Sequence, residues 1–373
     1  MHRFAFVIHP IDVKRDAARK YPIARYLPES WVESLLKRKE PMVVSQIKGV
    51  RSITGAETEG WFIGCPLSPR MMLSLPLDFV YQKVIRCGQI AQELGAELIG
   101  LGAFTSVVGD GGMTIAKNLD IAVTSGNSYT VATAIEAAIE GAHQMGIELA
   151  QATVAVVGAT GSIGRTCAEA LASIAQRVLL LGRDASKLEP IAEQLRPRAL
   201  GTVGVSTDLA RDLPSADVVI TVTSAVDAVI YPKDLKVGAV VVDVARPRDV
   251  SVRVAKERKD VLVIEGGLVA VPGNVDFGFD FGFPPGTAYA CMCETMMLAL
   301  EGRIENFTLG KEVSLEQVEQ TQQMARKHGF RLAGFRSFER ALTPQEIARI
   351  RNCAHLKRGG KSAEMTAAGE QIG

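Results

Sequence analysis

Seven residues near the middle of the chain, Gly158-Ala-Thr-Gly161-Ser-Ile-Gly164, could do the plainest chemistry. They follow the apolar run 154–157 directly and lead into the helical pattern 165–175. A tight strand-to-helix turn needs glycine, and a pyrophosphate needs backbone without side chains in its way. The helix start then offers N–H groups and a positive dipole end to the phosphates. The spacing is G-x-x-G-x-x-G, and its placement between strand and helix sets it apart from an ordinary glycine turn. Gly158, Thr160, Gly161, Ser162, Ile163 and Gly164 are the expected cofactor contacts, together with Thr223 at the end of a later strand. The second strand ends Leu181-Gly182-Arg183-Asp184, with Lys187 a turn later. An acidic residue there binds the ribose 2′-hydroxyl of NAD, whereas Arg183 suits a 2′-phosphate. NADPH is therefore the expected cofactor, and Asp184 is expected to cap the next helix.

A nucleophile is the second chemical candidate. Pro284-Pro285-Gly286-Thr287 predicts a helix start, which puts Cys291 in the first turn or just after it. N–H dipoles there stabilise a thiolate and lower its pKa. A buried cysteine in an apolar helix is the plainer alternative. Cys293 falls on another face, and no Cys/His pair has zinc spacing, so no metal is expected. Cys65, Cys87, Cys167 and Cys353 read as packing residues. His143, His328 and His355 read as surface residues, and His9, at the end of the first strand, as structural rather than catalytic. Two loops, 101–106 and 124–128, follow short strands and present N–H groups and hydroxyls to a polar ligand. Helix capping by Asn127 or Ser128 is the ordinary alternative for the second.

These residues need elements to position them. The chain has 373 residues, 35 of them Gly, with 6% aromatics and 47% hydrophobic residues. That composition favours an α/β enzyme of about two domains. The 42 basic and 41 acidic residues exclude the strongly basic profile of a nucleic-acid binder. No apolar run is long enough for a transmembrane segment, and a cytoplasmic protein with reduced cysteines is expected. Strands are expected at 3–8, 43–53, 59–65, 98–101 and 121–124. A second series is expected at 153–157, 177–181, 217–223, 239–244 and 261–264. Near-continuous Val/Ile/Leu runs in that series indicate a parallel sheet buried on both faces. The expected fold is a Rossmann-type doubly wound parallel sheet with an N-terminal α/β domain and C-terminal helices. Residues 1–150 form the substrate domain and 151–285 the NADP-binding domain. Residues 286–355 form a helical segment carrying Cys291, and 356–373 a disordered tail.

Several of these stretches carry a resemblance. Leu101-Gly-Ala-Phe-Thr-Ser106, Ser125-Gly-Asn-Ser-Tyr-Thr130, residues 152–164 and Ala288-Tyr-Ala-Cys-Met-Cys-Glu294 resemble the long-chain acyl-[acyl-carrier-protein] reductase family. Glu301-Gly, Asn306-Phe and Lys327-His-Gly-Phe330 are similar to its C-terminal pattern, so the likeness covers about residues 95–332 in one order. It implies that Cys291 accepts the acyl group from an acyl-carrier-protein or coenzyme A thioester. NADPH then reduces the enzyme thioester to a fatty aldehyde. Backbone N–H groups near Thr105, Ser106 or Asn127 become the candidates for stabilising the oxyanion. An aldehyde-consuming enzyme is a further implied partner. The stretch 107–119 is shorter than the family's loop, the first ninety residues match weakly, and 335–373 look like an extension. Asp243-Val-Ala-Arg-Pro-Arg-Asp249 resembles a stretch of glutamyl-tRNA reductases. A shikimate- or glutamyl-tRNA-reductase-like enzyme is therefore the alternative, and an NADPH-binding sensor the non-enzymatic one. An acidic carrier protein needs a basic docking surface. Lys14, Arg15, Arg19 and Lys20 form one basic cluster, and Arg246, Arg248, Arg253, Lys256 and Arg258 another.

Overall fold

The computed structural model describes residues 1–20, 22–280 and 282–369. The chain divides into two compact units. Unit 1 comprises Met1–Ala132 and Gly267–Ala333, and unit 2 comprises Thr133–Gly266 and the residues from Gly334 onward. Along the chain the units change at 132/133, 266/267 and 333/334, and residues 286–355 are shared between them.

Unit 1 opens with β1 (Arg3–Ile8), β2 (Met42–Arg51), β3 (Glu57–Gly64), β4 (Leu98–Gly100) and β5 (Ala122–Thr124). β1 runs parallel to β3 and β4, β4 parallel to β5, and β2 antiparallel to β3. Phe4, Ala5, Phe6 and Val7 are all buried, so β1 is covered on both faces and lies inside the sheet. The Leu77–Glu93 helix buries Val80, Val84, Cys87 and Ala91, one stripe at helical spacing. Its stop signal is Gly95, at φ +81°. After β1 the chain forms β2 and β3 on one side of it and then passes to β4 on the other. That reversal makes the carboxyl ends of β1 and β4 a topological switch point, where such sheets open a crevice.

Unit 2 contains β6 (Thr153–Val157), β7 (Arg177–Leu181), β8 (Thr202–Ser206), β9 (Val218–Thr221), β10 (Val240–Asp243) and β11 (Leu262–Glu265). Their order is β11-β10-β9-β6-β7-β8, every pair parallel. This is the expected Rossmann-like, dinucleotide-binding sheet. Ala155, Val157, Leu179, Leu181, Val219, Val241 and Val263 fill one core cluster. The reversal here lies between β6 and β9. β8 was not anticipated: at the sheet edge its Thr-Val-Gly-Val-Ser sequence is only partly buried, so it lacks an apolar run.

The chain then returns to unit 1 with β12 (Leu268–Ala270), β13 (Gly273–Asp276), β14 (Thr287–Tyr289) and β15 (Arg331–Leu332). β13 extends the first sheet by pairing antiparallel with β2, while β14, β12 and β15 make a small antiparallel sheet. Pairing of Thr287–Tyr289 with β12 delays the following helix, which runs Ala290–Glu301 instead of starting at 288. The Leu315–His328 helix begins with a Ser314/Gln317 capping box. In unit 2 a short hairpin, β16 (Arg336–Ser337) and β17 (Arg340–Ala341), precedes the Pro344–Gly369 helix. That helix occupies most of the stretch expected as a disordered tail, and residues 370–373 lie outside the described residues. No helix among the described residues is long and apolar enough to cross a membrane.

Candidate functional site

In unit 2 the glycine turn follows β6 at the switch point. Gly158 stands at φ +86°, and a Cβ on it would sit 2.7 Å from the Val222 carbonyl oxygen. A Cβ on Gly164 would lie 2.4 Å from the Gly158 oxygen, where the helix packs against the turn. The fold itself therefore requires both glycines. Gly161 differs: a Cβ there would meet only the Gly158 oxygen, at 3.4 Å, an ordinary contact. Its bare, exposed backbone caps the Ser162–Ala172 helix, beside exposed Thr160. The N–H groups of Ile163 and Gly164 are too early in that helix to have a helical acceptor. This is the cradle a pyrophosphate needs, so the residues present fit a dinucleotide.

Arg183 is exposed just beyond β7 and has no ion-pair or hydrogen-bond partner among the described residues. Asp184 is committed to capping, accepting from the Ser186 N–H at 3.0 Å and its hydroxyl at 2.6 Å. Thr223, beyond β9, gives its N–H and hydroxyl to Asp249 at 2.8 and 2.5 Å. The Thr221 hydroxyl also reaches Asp249, at 2.6 Å. Asp249 is fully buried, so it pins the 221–223 segment rather than meeting solvent. Asp243 in turn accepts the Val250 N–H at 3.0 Å. Burial pushes its carboxyl up to about 6, against the pull of Arg246 and the Val250 N–H. Neither aspartate stood out as a site residue; the only sequence signal was their inclusion in the 243–249 stretch.

In unit 1, Cys291 is the second residue of the Ala290–Glu301 helix and is half-buried. The backbone N–H groups of Met292 and Ala103 pull its pKa down. Ala103 holds φ +46°, a conformation that a residue with a side chain adopts only under constraint. On another side Gly126, at φ +75°, lies so close that a Cβ would fall 2.3 Å from the Cys291 Cβ. The expected thiolate is overturned. Burial pushes the Cys291 thiol up to about 12 and the Glu294 charge adds to the rise, outweighing the helix-start and Ala103 N–H groups. Cys293 is fully buried, and burial pushes its thiol up as well.

Glu294, one turn after Cys291, is the residue missed on sequence. It is fully buried. Its carboxylate accepts the hydroxyls of Thr124 and Thr308 at 2.6 Å each. It also accepts the Ser128 hydroxyl at 2.7 Å and the Tyr129 N–H at 2.9 Å. These bonds grip the chain on both sides of Gly126 and hold it against the helix. His9 braces the other loop. Its Nε2 accepts the Phe104 N–H at 3.2 Å, and Nδ1 faces the Pro10 carbonyl at 3.3 Å. Burial lowers the pKa of the ring, so it stays a neutral acceptor.

The structure places Thr105, Ser106 and Asn127 in these two loops, with several of their polar groups already engaged. The Thr105 hydroxyl donates to the Gly102 carbonyl at 2.8 Å and the Ser106 hydroxyl to the Ala103 carbonyl at 2.8 Å. The N–H groups of Thr105 and Asn127 also bond within their loops, to the Gly102 carbonyl at 3.1 Å and the Ser125 hydroxyl at 3.3 Å. Ala103 is the loop residue whose backbone N–H favours negative charge on the sulfur. Of the basic clusters, the later one is largely neutralised: Arg248 pairs with Glu265 and Glu339, Arg253 with Glu257, and Arg258 with Asp260. The side chains of Arg19 and Lys20, in the earlier cluster, lie outside the described residues.

Residues 140–265 match the shikimate / quinate 5-dehydrogenase family, which covers the sheet of unit 2. The chain is 31% identical over 365 residues to the aminotransferase PigE of a Serratia species, spanning 95% of this chain but only 42% of that protein. It is 27% identical over 345 residues to the long-chain acyl-[acyl-carrier-protein] reductase of Synechococcus elongatus, covering 86% of this chain and 95% of that one. A glutamyl-tRNA reductase of Natronomonas pharaonis is 33% identical over 269 residues, 65% of this chain and 57% of its own. The chain thus spans less than half of PigE. The matches support distant kinship with reductases and dehydrogenases that use a nicotinamide dinucleotide, the cofactor class the unit 2 cradle fits.

Proposed function

We propose that this protein reduces a long-chain acyl thioester to the aldehyde, with Cys291 as the acyl-accepting nucleophile. The observation that carries the reading is the setting of Cys291. It stands at a helix start, packed against the backbone of Gly126 from the loop after β5, with the Ala103 backbone in the loop after β4 favouring its thiolate. The acyl-[acyl-carrier-protein] reductase that matches over 95% of its own length supports the substrate class.

The first step forms a bond between the Cys291 sulfur and the acyl carbon and breaks the bond to the carrier sulfur. The Cys291 proton leaves with the carrier as its thiol. Because the resting thiol is protonated, the proton must move as the sulfur attacks. The Ala103 N–H, which favours negative charge on the sulfur, is the donor we assign to the charge that develops on the acyl group. Gly158, Thr160, Gly161, Ser162, Ile163 and Gly164 would hold the cofactor pyrophosphate, and Arg183 a 2′-phosphate, which selects NADPH. Bound there, the dinucleotide supplies the hydride that turns the acyl group into an aldehyde. Cys291 then leaves as a thiol, taking one proton from solvent. An aldehyde is consumed by reactions at its carbonyl, and PigE bears the name of one such class, amination.

The second reading is a shikimate- or glutamyl-tRNA-reductase-like enzyme, favoured by the family match over 140–265. That match covers the cofactor unit and leaves out Cys291. The other thiols of the N-terminal stretch, Cys65 and Cys87, are buried, and burial pushes Cys87 well up. The deciding experiment is intact-mass spectrometry after incubation with palmitoyl-coenzyme A or a palmitoyl carrier protein without NADPH. One palmitoyl adduct on the Cys291 peptide, discharged as aldehyde on adding NADPH and absent in Cys291→Ser, is expected. An unlabelled protein that instead turns over a keto or hydroxy acid would overturn the reading.

A further inference from the structure

Between β1 and β2 the chain makes a helical excursion, residues 12–40, built on the Val13–Lys20 and Glu29–Arg38 helices. It has its own small core: Val13, Ala18, Ala24 and Val32, with Leu27 and Leu36 against them. That core uses one face of the excursion. The other side exposes large side chains, with Tyr26 at 86%, Ile23 at 67%, Trp31 at 65% and Leu35 at 55%. Trp31 and Leu35 are four residues apart on one helix and so share a face. Val32 and Leu36 take the inner one. Exposed aromatic and aliphatic residues at this density mark an interaction surface.

Its charge says what kind. Residues 12–40 hold eight Lys and Arg against five Asp and Glu, a net of +3, while the whole chain nets only +1. A depression of about 390 Å³ is lined by Lys14, Arg15 and Arg25, with Asp12 the one acid. Asp12 is turned to the backbone, accepting the Arg15 N–H at 2.9 Å, and Asp16 accepts the N–H groups of Ile11 and Asp12. Lys14, Arg25 and Arg38 have no ion-pair partner among the described residues. Tryptophan, tyrosine and arginine are the side chains that anchor protein interfaces. An anionic bilayer fits less well, because Glu29 and Glu33 share the helix of Trp31 and Leu35.

We propose that this excursion docks an acidic carrier protein that delivers the acyl thioester. The proposal rests on the thioester reading above and adds where the carrier is gripped. None of these residues belongs to the Cys291 site or the cofactor cradle.

The test uses Lys14→Glu/Arg25→Glu and, separately, Trp31→Ala, with circular dichroism to verify folding. The probe is a purified bacterial holo-acyl-carrier protein, titrated calorimetrically at low and moderate salt. Wild type should bind it, more weakly at higher salt. The charge-reversal pair should weaken binding at least about tenfold, and Trp31→Ala by a similar factor. Acylation of Cys291 by palmitoyl-coenzyme A, which needs no docked protein, should change less than about twofold in each folded variant. Undiminished carrier binding in folded variants overturns the proposal. So does wild type that ignores the carrier but binds phosphatidylglycerol vesicles through Trp31, or a dimer that Trp31→Ala dissolves. Carrier binding is measured without turnover, so an unlabelled Cys291 sinks the thioester reading and not the docking measurement.

Discussion

Gly161 and Gly158 stand three residues apart in one turn, yet the structure separates what each does. Gly161→Ala adds a methyl that meets only an ordinary 3.4 Å contact with the Gly158 oxygen. The cost to stability is that of a poorer helix cap, under about 1 kcal/mol. If the turn cradles a pyrophosphate, the same methyl crowds the bare backbone that its oxygens must approach. Losing one charge-assisted hydrogen bond there costs about 1.5–3 kcal/mol, or roughly ten- to a hundredfold in affinity. Gly158→Ala inverts the pattern. At φ +86° a side chain costs about 1–2 kcal/mol. Its Cβ would also press on the Val222 oxygen at 2.7 Å and force the turn to shift. Thermal unfolding and NADPH fluorescence titration separate the two. Gly161→Ala should melt close to wild type and bind NADPH at least about tenfold more weakly, whereas Gly158→Ala should melt clearly lower. A stable Gly161→Ala protein with wild-type NADPH affinity would refute the assignment of the turn as the phosphate cradle.

Two further outcomes concern unit 2. Arg183→Ala should weaken NADPH about tenfold or more while leaving NADH nearly unchanged, because a lone guanidinium contributes only when a 2′-phosphate is present; equal loss for both cofactors in a titration would sink that role. Asp243 is raised from its ordinary 3.8 to about 6, so its contribution to stability is complete below about pH 4 and is lost as pH rises through 6. The loss is on the order of 3 kcal/mol, and urea unfolding across this range should show Asp243→Asn flattening the pH dependence; an unaltered slope would contradict it.

What the sequence made legible was local. β1, β6 and β7 fall at their expected residues because each is a short apolar run whose partners need not be known. The Ser314/Gln317 and Thr343/Glu346 caps were readable because their partners sit three residues apart. The glycine turn was readable for the same reason. β12, β13 and β14 were not, since strands of three or four residues exist only through pairing with segments far away in the chain. The Cys291 site failed in the same way. Its position at a helix start was legible, but its charge state was not. Helix-start N–H groups are a local feature, while the burial that outweighs them depends on distant segments such as the loop at Gly126.

Glu294 shows what that long-range assembly does. A buried carboxylate without a cation is costly unless hydrogen bonds replace its water. Here three hydroxyls and one N–H do so, drawn from positions 124, 128, 129 and 308. The three hydroxyl side chains, of Thr124, Ser128 and Thr308, are each small and unremarkable by themselves. Brought together they fix the chain on either side of Gly126, the residue with no room for a side chain against Cys291. The same negative charge, one turn from the sulfur, disfavours a second negative charge on the thiol. Glu294 thus helps to place Cys291 and adds to the burial that keeps its thiol protonated. A protonated thiol is a poor target for oxidants and stray electrophiles, which react with thiolate. On the proposed thioester reading, reactivity is gained only when the sulfur's proton has somewhere to go during attack.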